Sequence, residues 1–299
     1  MPSPLYICGP TASGKTSLAL SLAEQLNGEI VNADAYQLYR GIETIAASPS
    51  LDEQDTAPHH LYSVLESTTT LDANRYRQLA LPVIEEIQLR EKTPIVVGGS
   101  GLYLKFLTHG PSPVPSGDPK IRAELDTLSL AELENRLRKL DPEEAESINL
   151  QNRRYLTRSI ELCLLTGKPV SQQRSDWQQP DPPDLRGLYL DWPRDELADR
   201  IAQRTEWMIA NGAIEEVAHL PAEATTAAKA IGVPEIRAHL AGDMTLEETS
   251  ERITISTRQY AKRQRTWFRK EGWLTPIERN ELPDSSDSAL FGFDFDDPK

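Results

Sequence analysis

The sequence predicts an α/β chain in which helices cover a parallel sheet. Three observations carry this. Short apolar runs end in glycine or aspartate at residues 4–9, 29–34 and 94–99. Stretches with helical spacing lie between those runs. An octapeptide rich in small residues joins the first run to the first helix. Apolar runs of this length read as strands buried on both faces. Ligands of such sheets sit beyond the carboxyl ends of the strands, which is where Gly9, Asp34 and Gly98 stand.

Taken in order, residues 4–8 (PLYIC) form the first strand. In SLALSLAEQL, Leu18, Leu22 and Leu26 fall four apart, and Asn27-Gly28 then ends a helix and turns the chain. Glu29–Asn32 is the next strand. Residues 72–92 predict a helix with its core stripe on Leu79, Val83 and Ile87, and Pro94–Gly99 returns to the sheet. Residues 111–118 (PSPVPSGD) break the pattern. From 119 to 166 the spacing is helical throughout. Leu130, Leu133, Leu137 and Leu140 mark one helix; Tyr155, Ile160 and Leu164 mark another, with Arg154 and Arg158 on a different stripe. Residues 170–184 read as a loop, Leu188-Tyr189-Leu190 as a strand, and 195–212, 215–220 and 246–270 as helices. Beyond Gly272 the composition, with DSSDS at 284–288, predicts a mobile tail.

Bulk properties narrow the function. A chain of 299 residues can bury a sizeable core, and it contains no run of 18 apolar residues that would span a bilayer. The N-terminus lacks a charged segment followed by a long apolar one, so a cytoplasmic protein without membrane attachment is expected. Two cysteines, Cys8 and Cys163, fit a reducing compartment and make no disulfide framework. Five histidines without ligand spacing speak against structural zinc. The net charge of −14 would repel nucleic acid if spread evenly, but it is not spread evenly. Arg252, Arg258, Lys262, Arg263, Arg265, Arg269 and Lys270 occupy a stretch without Asp or Glu, and Arg153, Arg154 and Arg158 form a second group. The tail holds acid instead, at Asp284, Asp287, Asp294, Asp296 and Asp297.

Gly9-Pro10-Thr11-Ala12-Ser13-Gly14-Lys15-Thr16 matches G-x-x-x-x-G-K-[ST], between a strand and a helix as that motif requires. Glycines let backbone N–H groups turn inward around a phosphate. Lys15 supplies a point charge, Thr16 a hydroxyl for Mg²⁺, and the helix N-terminus a favourable end for an anion. The motif announces a diphosphate or triphosphate without saying which, or whether phosphate is transferred or merely leaves.

Further signatures follow in order. They are Asp34-Ala35-Tyr36-Gln37-Leu38-Tyr39-Arg40-Gly41, His59-His60-Leu61, Gly98-Gly99-Ser100-Gly101-Leu102-Tyr103, Asp141–Ala145, RYLTRSIELCLLTGKP from Arg154, Ala230-Ile231-Gly232, and RQYAKRQRTWFR from Arg258. Over roughly residues 5–270 the chain resembles the bacterial tRNA dimethylallyltransferases. The resemblance implies a P-loop NTPase or kinase-like parallel sheet core with an inserted all-helical domain. It divides the chain into core 1–115, a tRNA-gripping insert 116–180, core 181–272 and an acidic tail 273–299. It implies a monomer that transfers a dimethylallyl group from dimethylallyl diphosphate to N6 of the adenosine 3′ of the anticodon, in tRNAs reading codons that begin with U.

The resemblance also implies roles. Asp34 matches the general base, with Ser100 and Lys15 completing the catalytic set; Gly9 to Thr16 hold the diphosphate and Thr16 the Mg²⁺. Asp34, Ala35, Tyr36, Gln37 and Ser100 match contacts to the target base. Arg122, Arg154 and Arg158 match contacts of the insert to the anticodon stem-loop, and Lys262, Arg263, Gln264, Arg265, Trp267 and Arg269 those of the C-terminal segment. A carboxylate at N6–H suits the chemistry, because the adenine amine is a poor nucleophile. The chain departs from the family pattern at Ala35, at Ile45–Pro49 and at Val233-Pro234. Rival readings are a small-molecule kinase, which needs no basic C-terminal helix, an isopentenyltransferase of free adenine nucleotide, which needs no insert, and an RNA-binding module with a decayed nucleotide site.

Overall fold

The structure, a computed structural model, describes residues 1–278 apart from 112–114, 116, 174–181 and 183. The acidic run from 284 onward lies outside the described residues. The chain divides into two compact units, Met1–Thr108 with Asp181–Lys299, and His109–Pro180.

The first unit opens with β1 (Leu5–Cys8), α1 (Lys15–Gln25), β2 (Gly28–Asn32), α2 (Leu51–Thr56), β3 (His59–His60), α3 (Ala73–Leu89), β4 (Thr93–Gly98) and α4 (Gly101–His109). The second holds α5 (Pro119–Asp126), α6 (Leu130–Leu140), α7 (Pro142–Ser147), α8 (Arg153–Thr166) and α9 (Val170–Gln173). The chain then returns through β5 (Arg186–Asp191), α10 (Arg194–Ala210), α11 (Ala213–His219), α12 (Val233–Leu240), α13 (Leu246–Phe268) and β6 (Leu274–Glu278).

Among the described residues six strands form one sheet in the order β3-β2-β4-β1-β5-β6, every neighbour parallel. Alternation along the strands fills both faces. Tyr6, Cys8, Val31 and Val96 pack under α3 and α4, while Leu5, Ile7, Ile30, Ile95, Val97 and Leu188 pack under α1 and α10. Burial on both sides explains why these strands read as unbroken apolar runs. Where β2 begins, buried Glu29 accepts from His60, Arg90 and Lys92 at 2.6, 2.7 and 3.1 Å.

Several expectations need correction. The stripe of α3 is Tyr76, Ala80, Ile84 and Ile87, with Leu79 exposed; Tyr76 sits there because it stacks on Tyr103, centroids 4.4 Å apart. In α8 the core residues are Leu156, Ile160 and Cys163, and Tyr155 and Leu164 are exposed. Residues 274–278, read as tail, are strand β6, whose Leu274 and Ile277 are buried against β5. Trp273 precedes that strand with its ring edge-on to Tyr6, centroids 5.5 Å apart. In the second unit, α5, α6, α7 and α8 bury Leu125, Leu133, Leu137, Ala145, Leu156 and Ile160 against one another.

Candidate active site at the strand ends

β1 leads directly into the phosphate loop. Ala12 and Gly14 take left-handed backbone, φ 65° and 84°. A non-glycine residue rarely adopts this, and left-handed backbone of this kind is what anion-binding loops use to gather N–H groups. No side chain caps α1, so its first amides stay available to an anion. Among the described residues, Ser13 Oγ is buried without a hydrogen-bond partner, a polar atom that a phosphate oxygen would satisfy. Lys15 Nζ donates to the Gly9 and Pro10 carbonyls at 3.1 and 2.8 Å. Burial, opposed by Asp34 and reinforced by Arg204, lowers its pKa to about 8.

The rest of the fold holds the loop in place. From β5 onward, Trp192 Nε1 donates to the Ser13 carbonyl at 2.8 Å, and the Arg200 guanidinium lies 4.5 Å over the Trp192 ring while its Nε donates to the Ala12 carbonyl at 2.7 Å. Arg204, from α10, donates to Thr11 Oγ1 at 2.5 Å. Burial lowers its pKa to about 10, opposed by Asp34 and reinforced by Arg200. Sequence reasoning missed Arg204. A lone arginine on a helix that also carries Arg194 and Arg200 gives no local signal.

Asp34 stands just past β2, and its setting is built by neighbours. Buried Asn32 accepts from the Asp34 amide at 2.8 Å and donates to the Leu61 carbonyl at 2.9 Å. Tyr76 caps the same turn by donating to the Asn32 carbonyl at 2.9 Å. Asp34 Oδ1 accepts the Tyr36 amide at 3.0 Å, an Asx turn that aims the carboxylate. Its Oδ2 has no hydrogen bond among the described residues. Ser100, at the start of α4, accepts the Ala35 amide at 2.9 Å and is hydrogen-bonded to the Tyr260 hydroxyl from α13.

Thr11, Asp34, Arg204 and Tyr260 form the polar rim of a cavity whose apolar side includes Ile45, Met208, Ile231 and Ile253; its volume is about 60 Å³. Gln37, expected at the target base, spends its Nε2 on the Ala46 and Ala47 carbonyls at 3.2 and 2.7 Å. Glu216 of α11 accepts the Thr44 and Ile45 amides at 2.7 and 3.0 Å. The segment that departs from the family pattern is thus pinned on both sides.

The cations split into ion-paired and exposed. Arg122 and Arg158 both grip the fully buried Glu161, at 2.8 and 2.6 Å, and Arg158 also donates to the Pro115 carbonyl at 2.7 Å. Burial alone would raise the Glu161 carboxyl, but these two guanidinium groups hold it below the usual carboxylate range. Arg154 is exposed on α8. On α13, Arg265 and Arg269 pair with Asp191 at 3.1 and 2.7 Å, whereas Lys262 and Arg263 are exposed. A groove of about 340 Å³ runs beside them, lined by Arg194, Arg258, Lys262, Arg265 and Arg269. Trp267 is partly exposed and presses on Gly101. Gln264, expected at the RNA, is buried.

The fold and loop define a P-loop protein with a carboxylate and two half-buried cations at the strand ends. Comparison makes this specific. The family model described as IPP transferase matches residues 37–271. A tRNA dimethylallyltransferase of Akkermansia muciniphila is 41% identical over 96% of this chain and 96% of its own length. One of Ruegeria is 43% identical over 89% and 92%. The solved tRNA isopentenylpyrophosphate transferase of Bacillus halodurans superposes with a TM-score of 0.68 at 33% identity, covering 93% of this chain and 90% of that one. A eukaryotic dimethylallyltransferase solved acting on tRNA gives 0.75 at 27% identity, over 93% and 74%. The chain belongs to the IPP transferase family. Among the described residues no helix is long and apolar enough to cross a membrane.

Proposed function

We propose that this chain transfers a dimethylallyl group from dimethylallyl diphosphate to N6 of an adenosine beside the anticodon of tRNA, releasing diphosphate. The observation that carries the reading is Asp34: one carboxylate oxygen is locked by the Tyr36 amide, the other has no hydrogen bond among the described residues, and the carboxylate lines one cavity with Thr11 of the phosphate loop. In this reading Asp34 Oδ2 accepts the N6 proton as the amine attacks the allylic carbon, and the C–O bond to the diphosphate breaks. Lys15, Arg204, the orphaned Ser13 hydroxyl and the loop amides receive the charge that develops on the leaving oxygens. The apolar side of the cavity takes the prenyl methyl groups.

The donor set suits Mg²⁺, which is commonly held by few protein oxygens together with phosphates and water. Thr16 on the first turn of α1 would hold it against the diphosphate; when bound, the ion neutralises phosphate charge. The exposed Lys262, Arg263 and Arg154 supply sites for RNA phosphates. Dimethylallyl diphosphate as the donor, the anticodon-adjacent adenosine as the target and the cytoplasm as the compartment belong to this reading. Incubating the protein with tRNA, dimethylallyl diphosphate and Mg²⁺, then digesting and weighing the nucleosides, tests it: an adenosine heavier by one dimethylallyl group is expected. Unmodified adenosine overturns it, as does ADP release in a parallel incubation with ATP in place of the prenyl donor.

A further inference from the structure

Gln264 belongs to α13, the helix whose exposed side carries Lys262 and Arg263, yet it is only 4% exposed itself. Its Oε1 accepts the Thr11 amide and its Nε2 donates to the Gly99 carbonyl, both at 2.9 Å. The first bond fixes the backbone of the phosphate loop. The second fixes the turn after β4, one residue before the serine that holds the Ala35 amide. The fit leaves no slack, for a Cβ on Gly99 would collide with Gln264 Nε2, and one on Gly101 with the Trp267 ring. One side-chain amide therefore ties the loop that takes the diphosphate to the segment that aims Asp34. A buried amide with both ends paired is costly to replace, because each lost bond strands a backbone partner.

We propose that Gln264 is a positioning residue for the prenyl donor, holding the phosphate loop in register with Asp34, and is not a contact to RNA. This rests on the transferase reading given above. Two variants test it. Gln264→Met keeps length and loses both bonds. Gln264→Glu loses the donor to Gly99 when ionised; when protonated it regains the pattern, one oxygen accepting from Thr11 and the hydroxyl donating to Gly99.

The KM for dimethylallyl diphosphate, taken relative to the unaltered protein at each pH, is expected to rise about tenfold in Gln264→Met at every pH. In Gln264→Glu it rises similarly near pH 8 and falls back as the pH drops toward 5. The charged and titratable groups around the loop are Lys15, Arg200, Arg204, Asp34 and the Tyr260 hydroxyl; all are present in both proteins, so their titration largely divides out of the ratio. Affinity for tRNA without donor, by filter binding, stays within about twofold. An unchanged donor KM in Gln264→Met overturns the proposal, as does weakened tRNA binding with the donor KM intact. A pH-independent ratio in Gln264→Glu reduces the residue to packing and also overturns it. If the unaltered protein modifies no tRNA, the transferase reading is what fails. Calorimetry with inorganic diphosphate then serves in place of KM, with the same outcomes expected of the loop.

Discussion

Arg204 donates to Thr11 Oγ1 across 193 residues of sequence, which puts a half-buried guanidinium at the mouth of the phosphate loop. A charge partly withdrawn from water attracts an anion more strongly than one on the open surface. Arg204→Ala is expected to lower kcat/KM for the prenyl donor by about 10²-fold or more, and Arg204→Lys to recover only part of it, since an ammonium lacks the planar fork. Steady-state kinetics at saturating tRNA checks this; full activity in the alanine variant would remove Arg204 from the site.

Asp34→Asn keeps the Asx turn and loses the base. The expected result is a fall in kcat of about 10²–10⁴-fold with tRNA affinity unchanged. Single-turnover transfer and a tRNA binding isotherm separate the two effects, and normal turnover would refute the assignment.

Lys15 gives a pH dependence with a definite sign. Burial lowers its pKa to about 8, so the free enzyme carries the charge below that pH and loses it above. The value of kcat/KM for the donor is therefore expected to decline as the pH rises past about 8, about tenfold per unit once the amine is neutral. A profile flat to pH 10 would mean that the ammonium is not needed to capture the diphosphate.

On α13, pairing separates residues that look equivalent in sequence. Arg263 is exposed, its guanidinium 5.7 Å from the Tyr260 ring centroid, while Arg265 is held by Asp191. Arg263→Ala is expected to reduce the slope of log affinity for tRNA against log salt by about one. Arg265→Ala should change it by less than half as much. Equal slopes for both variants would show that the Asp191 pairs open when RNA binds.

Glu29 lies far from the chemistry and bears on stability. Burial alone would raise its carboxyl, but bonds from Arg90, His60 and Lys92 outweigh it and hold the pKa at about 2. A carboxyl depressed in the folded state adds stability above its unfolded pKa and loses it as the pH falls toward the folded value. The gap in urea midpoint between the unaltered protein and Glu29→Gln should therefore narrow between pH 5 and about 2. At neutral pH, Glu29→Gln should cost about 2 kcal/mol, since it leaves the Arg90 and Lys92 cations beside a neutral amide.

The sheet strands β1, β2, β4 and β5 and the phosphate loop were legible in the sequence, because burial on both faces writes unbroken apolar runs and because the loop's chemistry admits few residue types. Strand β6 was not legible. Leu274 and Ile277 are too sparse, and a proline stands between them. The burial of Gln264 did leave a trace, since Thr257, Ala261, Gln264 and Phe268 recur at helical spacing on one buried stripe. Arg158 likewise had Glu161 three positions on, a neighbour on the same helix face. Arg204 acts through Thr11, and Asn32 is held by Leu61 and Tyr76, partners distant in sequence that a single chain read in order does not display.

The close of the sheet has a consequence for solubility. β6 covers the outer side of β5 along five paired positions, Gly187 to Asp191, and contains Pro276, which has no N–H to extend a ladder. A chain cut after Gly272 would bare the Leu188-Tyr189-Leu190 border to other molecules, and we expect it to associate through that border. Those few residues past the long helix thus act as a selvedge, keeping the weave of one molecule from being continued by the next.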